Sequence, residues 1–477
     1  MSKPKSFYWH DYETSGVNPR CDRAMQFAGI RTDLDFKQIG KPLEIYCQPA
    51  NDFLPHPEAC LVTGITPQHA LEHGIPEAEF FARIHAELAT PGSCVLGYNS
   101  LRFDDEFTRY GLYRNFFDPY GREWQNGNSR WDLIDLARLT HALRPEGIVW
   151  PKNSQGHSSF RLEELTAANG IAHQGAHDAL VDVQATIDLA RLIKTAQPRL
   201  FDYVFAHRDK HHLLAELDIH RQKPVLHVSA KYPASLGCIA VVVPLAMHPS
   251  NKNSVLVYDL RVDPTPLLSL SAEQINQRIF TPAAELPAGV ERLPIKAVAV
   301  NRAPVVVPVN TLTATAREQW QLDANLELQH LQVLQQATGL AEKLAAAFSM
   351  NEFPAISDPD QDLYGGFISD HDRRLCEQVL SASPEQLKTL KPAFSAAKLT
   401  ELLLRYRARN WPQSLSPKEQ GYWQEFRQQR LNDEAMGITL SDYRRRLSRL
   451  VIDSDLAPEK RAVVDALLDW PDIIGAD

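Results

Sequence analysis

Two acidic residues near the start of the chain are spaced so that both could bind one metal ion. Asp11 and Glu13 lie in the stretch FYWHDYET at positions 7–14, whose aromatic residues favour a β-strand. Alternate residues of a strand point to the same face, so the two carboxylates face the same way. Buried carboxylates repel each other unless a cation lies between them. A half-exposed strand with two solvated acids has the same pattern, so the interpretation depends on further ligands elsewhere in the chain.

A third carboxylate, Asp104, follows the apolar segment 93–98, which predicts a short strand. Residues 103–113 have the pattern of a helix, and Asp104 is expected in its first turn. Acids are common in that turn because they interact favourably with the helix dipole. Asp104 is therefore either a metal ligand at the end of a strand or an ordinary first-turn acid.

The segment 177–182 offers a histidine and two further acids just before and within a predicted long amphipathic helix, 178–194. Asp178 is expected to cap the start of this helix. Asp182 lies more than one turn into the helix, beside its apolar stripe. An acid turned towards the sheet needs a cation, whereas a solvated acid there does not. His177 precedes the helix and can turn inward.

These residues form one chemical unit if they meet in space. Carboxylates are the ligands that Mg²⁺ prefers, and this set has four: Asp11, Glu13, Asp104 and Asp182. Two such ions about 3.5–4 Å apart can activate a water molecule and stabilise the leaving oxygen when a phosphodiester is hydrolysed. His177 can take the proton of the attacking water, because the ordinary pKa of histidine lies near neutral pH.

The elements that must position these residues change in character along the chain. Strands come first and then alternate with helices, which predicts an α/β sheet with an antiparallel edge. Val-rich, strand-length segments separated by Pro, Asn and Gly follow, and they predict a mainly β domain with a capped helix at Ser271 and a helical tail. The last part is almost entirely helical with short breaks. The predicted domains are 1–196, 197–350 and 351–477.

Composition and charge argue against a generally basic nucleic-acid-binding protein, a membrane protein and a protein with a signal peptide. The 477 residues carry a net charge of −9, with 44% hydrophobic and 23% charged residues, which is typical of a globular protein. No general positive field attracts nucleic acid, so any polyanion site must be local. The apolar runs are shorter than the about 20 residues of a membrane helix, and no signal-peptide pattern follows residues 1–5. We expect a cytoplasmic monomer with reduced cysteines and no membrane contact.

The three spaced motifs resemble the DEDDh superfamily of 3′→5′ exonucleases, and the whole chain resembles the bacterial exodeoxyribonuclease I family. Matching stretches extend from end to end, and they include 10–14, 64–68, 97–106, 159–171, 176–183 and 406–410. The resemblance implies an α/β ribonuclease-H-like exonuclease domain, an SH3-like mainly β domain and an all-α C-terminal domain. It implies 3′→5′ degradation of single-stranded DNA to 5′-mononucleotides in repair and recombination, with two Mg²⁺ ions or Mn²⁺ as a substitute.

Arginines alternate with aromatic residues between positions 102 and 144, where they could contact phosphates and stack on bases. The alternative is that half or more of these aromatics belong to the core. The resemblance implies strand contacts by Arg109, Tyr120, Trp124 and Arg138. It also implies that Arg161 holds a phosphate and that Glu13 faces the 3′-terminal nucleotide as well as the metal.

A protein partner is also implied by the resemblance. The family binds the acidic C-terminal tail of single-stranded-DNA-binding protein, and the corresponding surface here would include Arg144, Tyr203 and Lys223. Two other functions stay open on the residues alone. The metal ligands do not distinguish deoxyribose from ribose, so an exoribonuclease has the same pattern. A non-catalytic single-strand-binding protein with a relic site is the other alternative, and the five intact positions disfavour it.

Overall fold

The computed structural model of the chain describes residues 4–173, 175, 177–351 and 356–476. The chain divides into two compact units. The first unit contains Ser2–Ser129, His173–Gln184 and Ala355–Asp477, and the second contains Arg130–Ala172 and Ala185–Pro354. The domain boundaries drawn from sequence at 196/197 and 350/351 stay predictions. Within the described residues, no helix combines the length and the apolar character that crossing a bilayer requires.

The secondary structure alternates in the N-terminal part and becomes helical towards the end. The strands are β1 (Ser6–Thr14), β2 (Ala24–Thr32), β3 (Leu43–Tyr46), β4 (Ser93–Gly97), β5 (Ser129–Asp132), β6 (Val225–Val228), β7 (Ile239–Met247), β8 (Ser254–Asp259), β9 (Ile295–Ala299) and β10 (Val306–Pro308). The helices are α1 (Pro57–Thr63), α2 (Pro67–His73), α3 (Glu77–Leu88), α4 (Asp104–Arg114), α5 (Leu133–Leu143), α6 (Leu162–Ala168), α7 (Ala179–Ala196), α8 (Pro198–Ala206), α9 (Lys210–Glu216), α10 (Thr265–Ser269), α11 (Ala272–Phe280), α12 (Ala314–Gln319), α13 (Ala324–Gln336), α14 (Leu340–Ser349), α15 (Asp370–Ser381), α16 (Pro384–Leu387), α17 (Ala397–Asn410), α18 (Pro417–Asn432), α19 (Leu440–Val451) and α20 (Pro458–Ile474).

In the first unit, β1 lies between β2 and β4 in a sheet, and β3 lies on the other side of β2. It pairs with β2 in antiparallel fashion along its whole length, and β2 pairs with β3 in the same way. This confirms the antiparallel edge predicted from the three closely spaced strands. The parallel pairing of β1 with β4 ends at Trp9 and Leu96. The second half of β1 therefore extends past the end of β4, and this half carries Asp11 and Glu13.

Helices α3 and α4 pack on this sheet through an aromatic and aliphatic core. The core includes Tyr8, Phe27, Phe80, Phe81, Ile84, Val95 and Leu112. Gly111 of α4 allows the two helices to approach closely, since a Cβ at this position would lie 1.9 Å from the ring of Phe81. The C-terminal helices add two further cores to the first unit. One joins α15 and α17 to α4, and the other joins α19 and α20 to α1.

The second unit contains an antiparallel sheet of order β10-β6-β7-β8-β9 around a valine-rich core. The capping box predicted at Ser271 is confirmed at the start of α11. Residues 297–309 are one of the Val-rich segments from which the sequence predicts a single strand, and this prediction is wrong. The chain turns between β9 and β10, where Ala303 has φ 43. The predicted boundary at 196/197 falls next to α8, which has Gln197 as its N-cap and begins at Pro198, because proline is compatible with the first turn of a helix.

Candidate metal centre

Asp11 and Glu13 lie on the part of β1 that extends beyond β4, and both carboxylates are in unfavourable surroundings for a charge. Glu13 is only 7% exposed. Burial, together with the negative charges of Asp11 and Asp182, raises its pKa to about 9. Burial also raises the pKa of Asp11 well above its usual range, and the nearby Asp104 and Asp182 raise it further. The two acids are therefore not the solvated pair that the alternative interpretation of the sequence required.

Asp104 opens α4 and is tied to β1 between the two strand acids. Its Oδ1 accepts a hydrogen bond from the backbone N–H of Tyr12 at 3.1 Å. The hydroxyl groups of Tyr12 and Thr108 are 3.0 Å apart, which makes a second link between the strand and the helix. Asp104 is 3% exposed, so it is not an ordinary solvated first-turn acid.

The start of α7 brings the remaining predicted residues to Glu13. Asp178 caps the helix as predicted, because its Oδ1 accepts from the backbone N–H groups of Leu180 and Val181 at 3.0 and 3.3 Å. The backbone N–H of Ala179 donates to the side chain of Gln26 at 3.3 Å. Gln26 is the cross-strand partner of Glu13, so this bond places the helix start beside Glu13.

Three potential ligand atoms converge at this point. One atom each from Glu13, His177 and Asp182 lies within 4.8 Å of the other two. Glu13 is buried, Asp182 is partly exposed and His177 is exposed. His177 has φ 70, a backbone conformation that is uncommon for a residue with a side chain. The loop geometry therefore directs an accessible imidazole to the acids.

One residue of this site was not predicted from the sequence. His173 Nε2 lies 2.5 Å from Asp182 Oδ1, and the His173 side chain is 6% exposed. The only signal in the sequence is a histidine four residues before His177. Nothing in the local pattern relates it to an acid nine residues further on.

The donor set fits a divalent cation. Four carboxylates and one imidazole supply oxygen and nitrogen ligands, and Asp11 interacts electrostatically with both Asp104 and Asp182. Burial and the neighbouring acids raise the pKa values of both Asp11 and Glu13. A bound cation would favour the ionised forms of both.

The residues predicted to contact a nucleic-acid strand in the first unit differ in exposure. Trp124 is 64% exposed, and Tyr120 is partly buried. Arg109 was expected to present its charge to phosphates, but it is buried in ion pairs. Its Nε lies 2.7 Å from Glu123 and its Nη1 lies 2.8 Å from Glu106, while its guanidinium lies over the ring of Tyr120.

The second unit contains the other two predicted strand contacts. Arg161 precedes α6, and its side chain is 73% exposed with Glu164 at 3.8 Å. Helix α6 begins at Leu162, and Arg161 occupies the position before its first turn. Arg138 is buried and lies 2.6 Å from Asp135, so its predicted contact with the strand stays a prediction.

The residues predicted to bind an acidic peptide also belong to the second unit. Lys223 is exposed, whereas Arg144 and Tyr203 are partly buried. Arg144 Nη2 donates to the carbonyl of Thr311 at 3.4 Å. The Tyr203 ring contacts the ring of His207, with centroids 4.1 Å apart.

Comparison with known protein families gives three matches along the chain. Residues 8–190 match an exonuclease family, residues 208–350 match the exonuclease I SH3-like domain, and residues 357–474 match the exonuclease I C-terminal domain. The predicted order of an α/β exonuclease domain, an SH3-like domain and a helical C-terminal domain is thereby confirmed.

Individual relatives cover almost the whole chain. Exodeoxyribonuclease I of Escherichia coli is 45% identical over 470 residues, which is 98% of each protein. The structure of a moderately thermophilic exonuclease I from Methylocaldum szegediense is 50% identical, with a TM-score of 0.95 over 98% of this chain and 99% of its own. The zinc-bound complex of E. coli exonuclease I with single-stranded DNA is 45% identical, with a TM-score of 0.94 over 99% of this chain and 100% of its own.

The predicted catalytic positions and the complete domain order thus occur in one chain that is similar to these enzymes from end to end. The chain belongs to the exodeoxyribonuclease I family.

Proposed function

We propose that this protein hydrolyses single-stranded DNA from the 3′ end and releases 5′-mononucleotides with the help of divalent metal ions. The observation that carries the proposal is the convergence of Glu13, His177 and Asp182 within 4.8 Å, with Asp11 electrostatically linked to Asp104 and Asp182. The related E. coli enzyme has been solved with both single-stranded DNA and a zinc ion, which supports the substrate and the need for a metal.

Asp11, Glu13, Asp104 and Asp182 would hold two Mg²⁺ ions, for which Mn²⁺ can substitute. When bound, the ions supply Lewis-acid stabilisation of the phosphodiester and lower the pKa of a water molecule. His177 is the base that accepts the proton of this water, because its exposed imidazole lies with the ligand atoms. Glu13 also faces the 3′-terminal nucleotide. Its position on the extended half of β1 supports this role.

The exposed Trp124 and Arg161 and the partly buried Tyr120 would bind the strand. Trp124 and Tyr120 would stack on bases, and Arg161 would hold a phosphate near the terminus. The roles of Arg109 and Arg138 as direct strand contacts stay predictions, and their ion pairs favour a supporting role for both.

The biological setting follows from the substrate. Single-stranded DNA arises in repair and recombination, and the proposed role of the protein is to remove it there, as a cytoplasmic monomer. The acidic C-terminal tail of single-stranded-DNA-binding protein is the proposed partner. The exposed Lys223, with Arg144 and Tyr203, would supply the cationic and aromatic surface for such a tail.

Digestion of a single-stranded DNA oligonucleotide labelled at one end or the other tests the proposed activity. We expect mononucleotides to be released from the 3′ end with Mg²⁺ or Mn²⁺ and no cleavage in chelator. A matched RNA oligonucleotide should be cleaved far more slowly. Faster cleavage of RNA would favour the exoribonuclease alternative, and strand binding without any cleavage would favour the non-catalytic one.

Asp182→Ala is the first variant to compare with the unmodified protein. The substitution removes a metal ligand but leaves Trp124 and Arg161 in place, so cleavage should be lost while binding of the oligonucleotide is retained. Fluorescence anisotropy measures binding, and gel analysis measures cleavage. Cleavage by Asp182→Ala at an unreduced rate would contradict the assignment of this acid as a ligand.

A further inference from the structure

His173 is a buried histidine beside the proposed metal centre to which the mechanism gives no task. Its Nε2 lies 2.5 Å from Asp182 Oδ1, and its side chain is 6% exposed. An ionised carboxylate only accepts hydrogen bonds, so the imidazole N–H is the donor in this pair. The contact joins the loop before α7 to a residue in the first turns of that helix.

His173 and His177 both lie near Asp182, but they differ in exposure. His177 is exposed and belongs to the group of ligand atoms with Glu13 and Asp182. His173 is buried and contacts Asp182 through a short hydrogen bond. One imidazole is accessible to a water molecule, and the other is placed to hold a carboxylate.

Asp182 needs such support because of where it lies. Its side chain is 17% exposed, so it remains accessible to a metal ion. A hydrogen bond to Oδ1 fixes the plane of the carboxylate and leaves Oδ2 for a metal ion. Hydrogen bonds to ligating carboxylates from outside the coordination sphere commonly set ligand orientation and metal affinity.

We propose that His173 is a positioning residue that orients Asp182 as a metal ligand through the bond between Nε2 and Oδ1. The inference rests on the proposed function, because it assumes that Asp182 binds a metal. It separates the roles of the two histidines: His173 determines metal affinity, and His177 acts on the substrate water.

Mn²⁺ binding to the full-length protein, measured without DNA by electron paramagnetic resonance, tests the proposal directly. His173→Leu removes the donor with little change in volume and should weaken Mn²⁺ binding by about 10–100-fold. His173→Gln keeps an N–H that reaches Asp182 and should recover most of the affinity. Cleavage by His173→Leu should improve as the Mn²⁺ concentration rises, whereas a merely structural defect would not respond.

His141→Leu is the matched control, since His141 is also buried and has one hydroxyl partner, Ser158, at 2.8 Å. It should leave Mn²⁺ affinity unchanged. If His173→Leu does not fold, as judged by thermal unfolding, the pair His173→Asn and His173→Gln replaces it. Both are polar amides, and only the longer one reaches Asp182, so the Asn variant alone should lose affinity.

The outcomes distinguish this inference from the proposed function. Unchanged Mn²⁺ affinity in the His173 variants, with affinity lost in Asp182→Asn, would overturn the positioning role and leave the metal-dependent nuclease intact. An unmodified protein that neither binds Mn²⁺ nor cleaves DNA would overturn the proposed function, and the inference with it.

Discussion

At Glu13 a carboxylate lies almost out of reach of water and close to two other acids. The pKa of this residue is raised from its ordinary value of 4.5 to about 9, first by burial and then by Asp11 and Asp182. A carboxyl group whose pKa is higher in the folded state favours folding most below pH 4.5. This contribution is lost progressively as the pH rises towards 9. The metal-free protein is therefore less stable at neutral pH than it would be without this charge.

Glu13→Gln should consequently stabilise the metal-free protein while it destroys metal binding. The substitution removes a buried charge and keeps the shape of the side chain, so the free energy of unfolding at pH 7–8 should rise by on the order of 1 kcal/mol or more. Thermal unfolding with chelator measures the gain, and Mn²⁺ titration measures the loss.

Glu79→Gln provides the control for this comparison, because Glu79 is half exposed and lies on the surface of α3. Its effect on the melting temperature should be small at every pH. If metal-free Glu13→Gln melts at a lower temperature than the unmodified protein at pH 8, the claim that the buried charge of Glu13 destabilises the metal-free fold is contradicted.

At the scale of elements, the site depends on where α4 begins. Asp104 is its first residue, and the bond from Tyr12 N–H ties this residue to β1. The position of α4 on the sheet is set by its contact with α3, where Gly111 faces the ring of Phe81. With a rise of about 1.5 Å per residue, Gly111 lies about 10 Å along α4 from Asp104. The contact between Gly111 and Phe81 therefore helps to position this proposed metal ligand.

Gly111→Ala should destabilise the protein, because the new methyl group would overlap the Phe81 ring and force α3 and α4 apart. Overpacking of this kind typically costs about 1–3 kcal/mol. Urea unfolding measures the loss, and Mn²⁺ affinity shows whether Asp104 has moved. We expect both to fall.

Gly421→Ala is the matched control in α18. A Cβ at Gly421 would meet no atom within 4 Å, so the substitution should be neutral or stabilise the protein by up to about 1 kcal/mol. Equal stability changes in the two alanine variants would show that helix propensity, rather than the contact with Phe81, decides the result.

At the scale of the whole molecule, the first unit joins the beginning of the chain to its end through buried ion pairs. Arg409 Nη2 lies 2.8 Å from Asp52 and 2.6 Å from Asp360, and Arg405 Nη1 lies 2.9 Å from Asp360. Burial alone would raise the pKa of Asp360, but the neighbouring Arg409 and Arg405 hold it well below its usual range. The N-terminal sheet and the C-terminal helices should therefore unfold together.

Asp360→Asn should destabilise this unit strongly, because it leaves two buried guanidinium groups without a full counter-charge. Removing one partner of such a pair costs about 3–5 kcal/mol. The pKa of the Asp360 carboxyl group is lower in the folded state than in the unfolded state. This group therefore stabilises the folded protein at pH values above its pKa in the unfolded state, and the contribution is lost as the pH falls. The difference between the two proteins in urea unfolding should therefore shrink in acid.

Asp370→Asn breaks an exposed pair instead, since Asp370 and Arg373 are 87% and 53% exposed. It should cost less than about 1 kcal/mol. Equal costs for the two asparagine variants would contradict a structural role for the buried pairs, and separate transitions for N- and C-terminal segments would contradict joint unfolding.

Interactions between residues close in sequence were predictable. The cap of Asp178 on α7, the capping box at Ser271 and the bounds of α15 depend on groups a few positions apart, so the local pattern determines them. The acids at positions 11, 13, 104 and 182 could be assigned to one predicted site because carboxylates suit Mg²⁺ and because the three spaced motifs resemble those of the DEDDh exonucleases.

Tertiary contacts decided the rest, because their energy comes from partners that no local pattern relates. The partners of Arg109 are an example, since it donates to Glu123 and to the hydroxyl of Tyr364, which is 255 residues away in the sequence. His173 could not be paired with Asp182, since a histidine before a helix has no preferred partner. The sequence thus determined which groups are available for the proposed metal binding and phosphodiester cleavage. Only the folded chain decided which charges are buried, paired and held in place for that purpose.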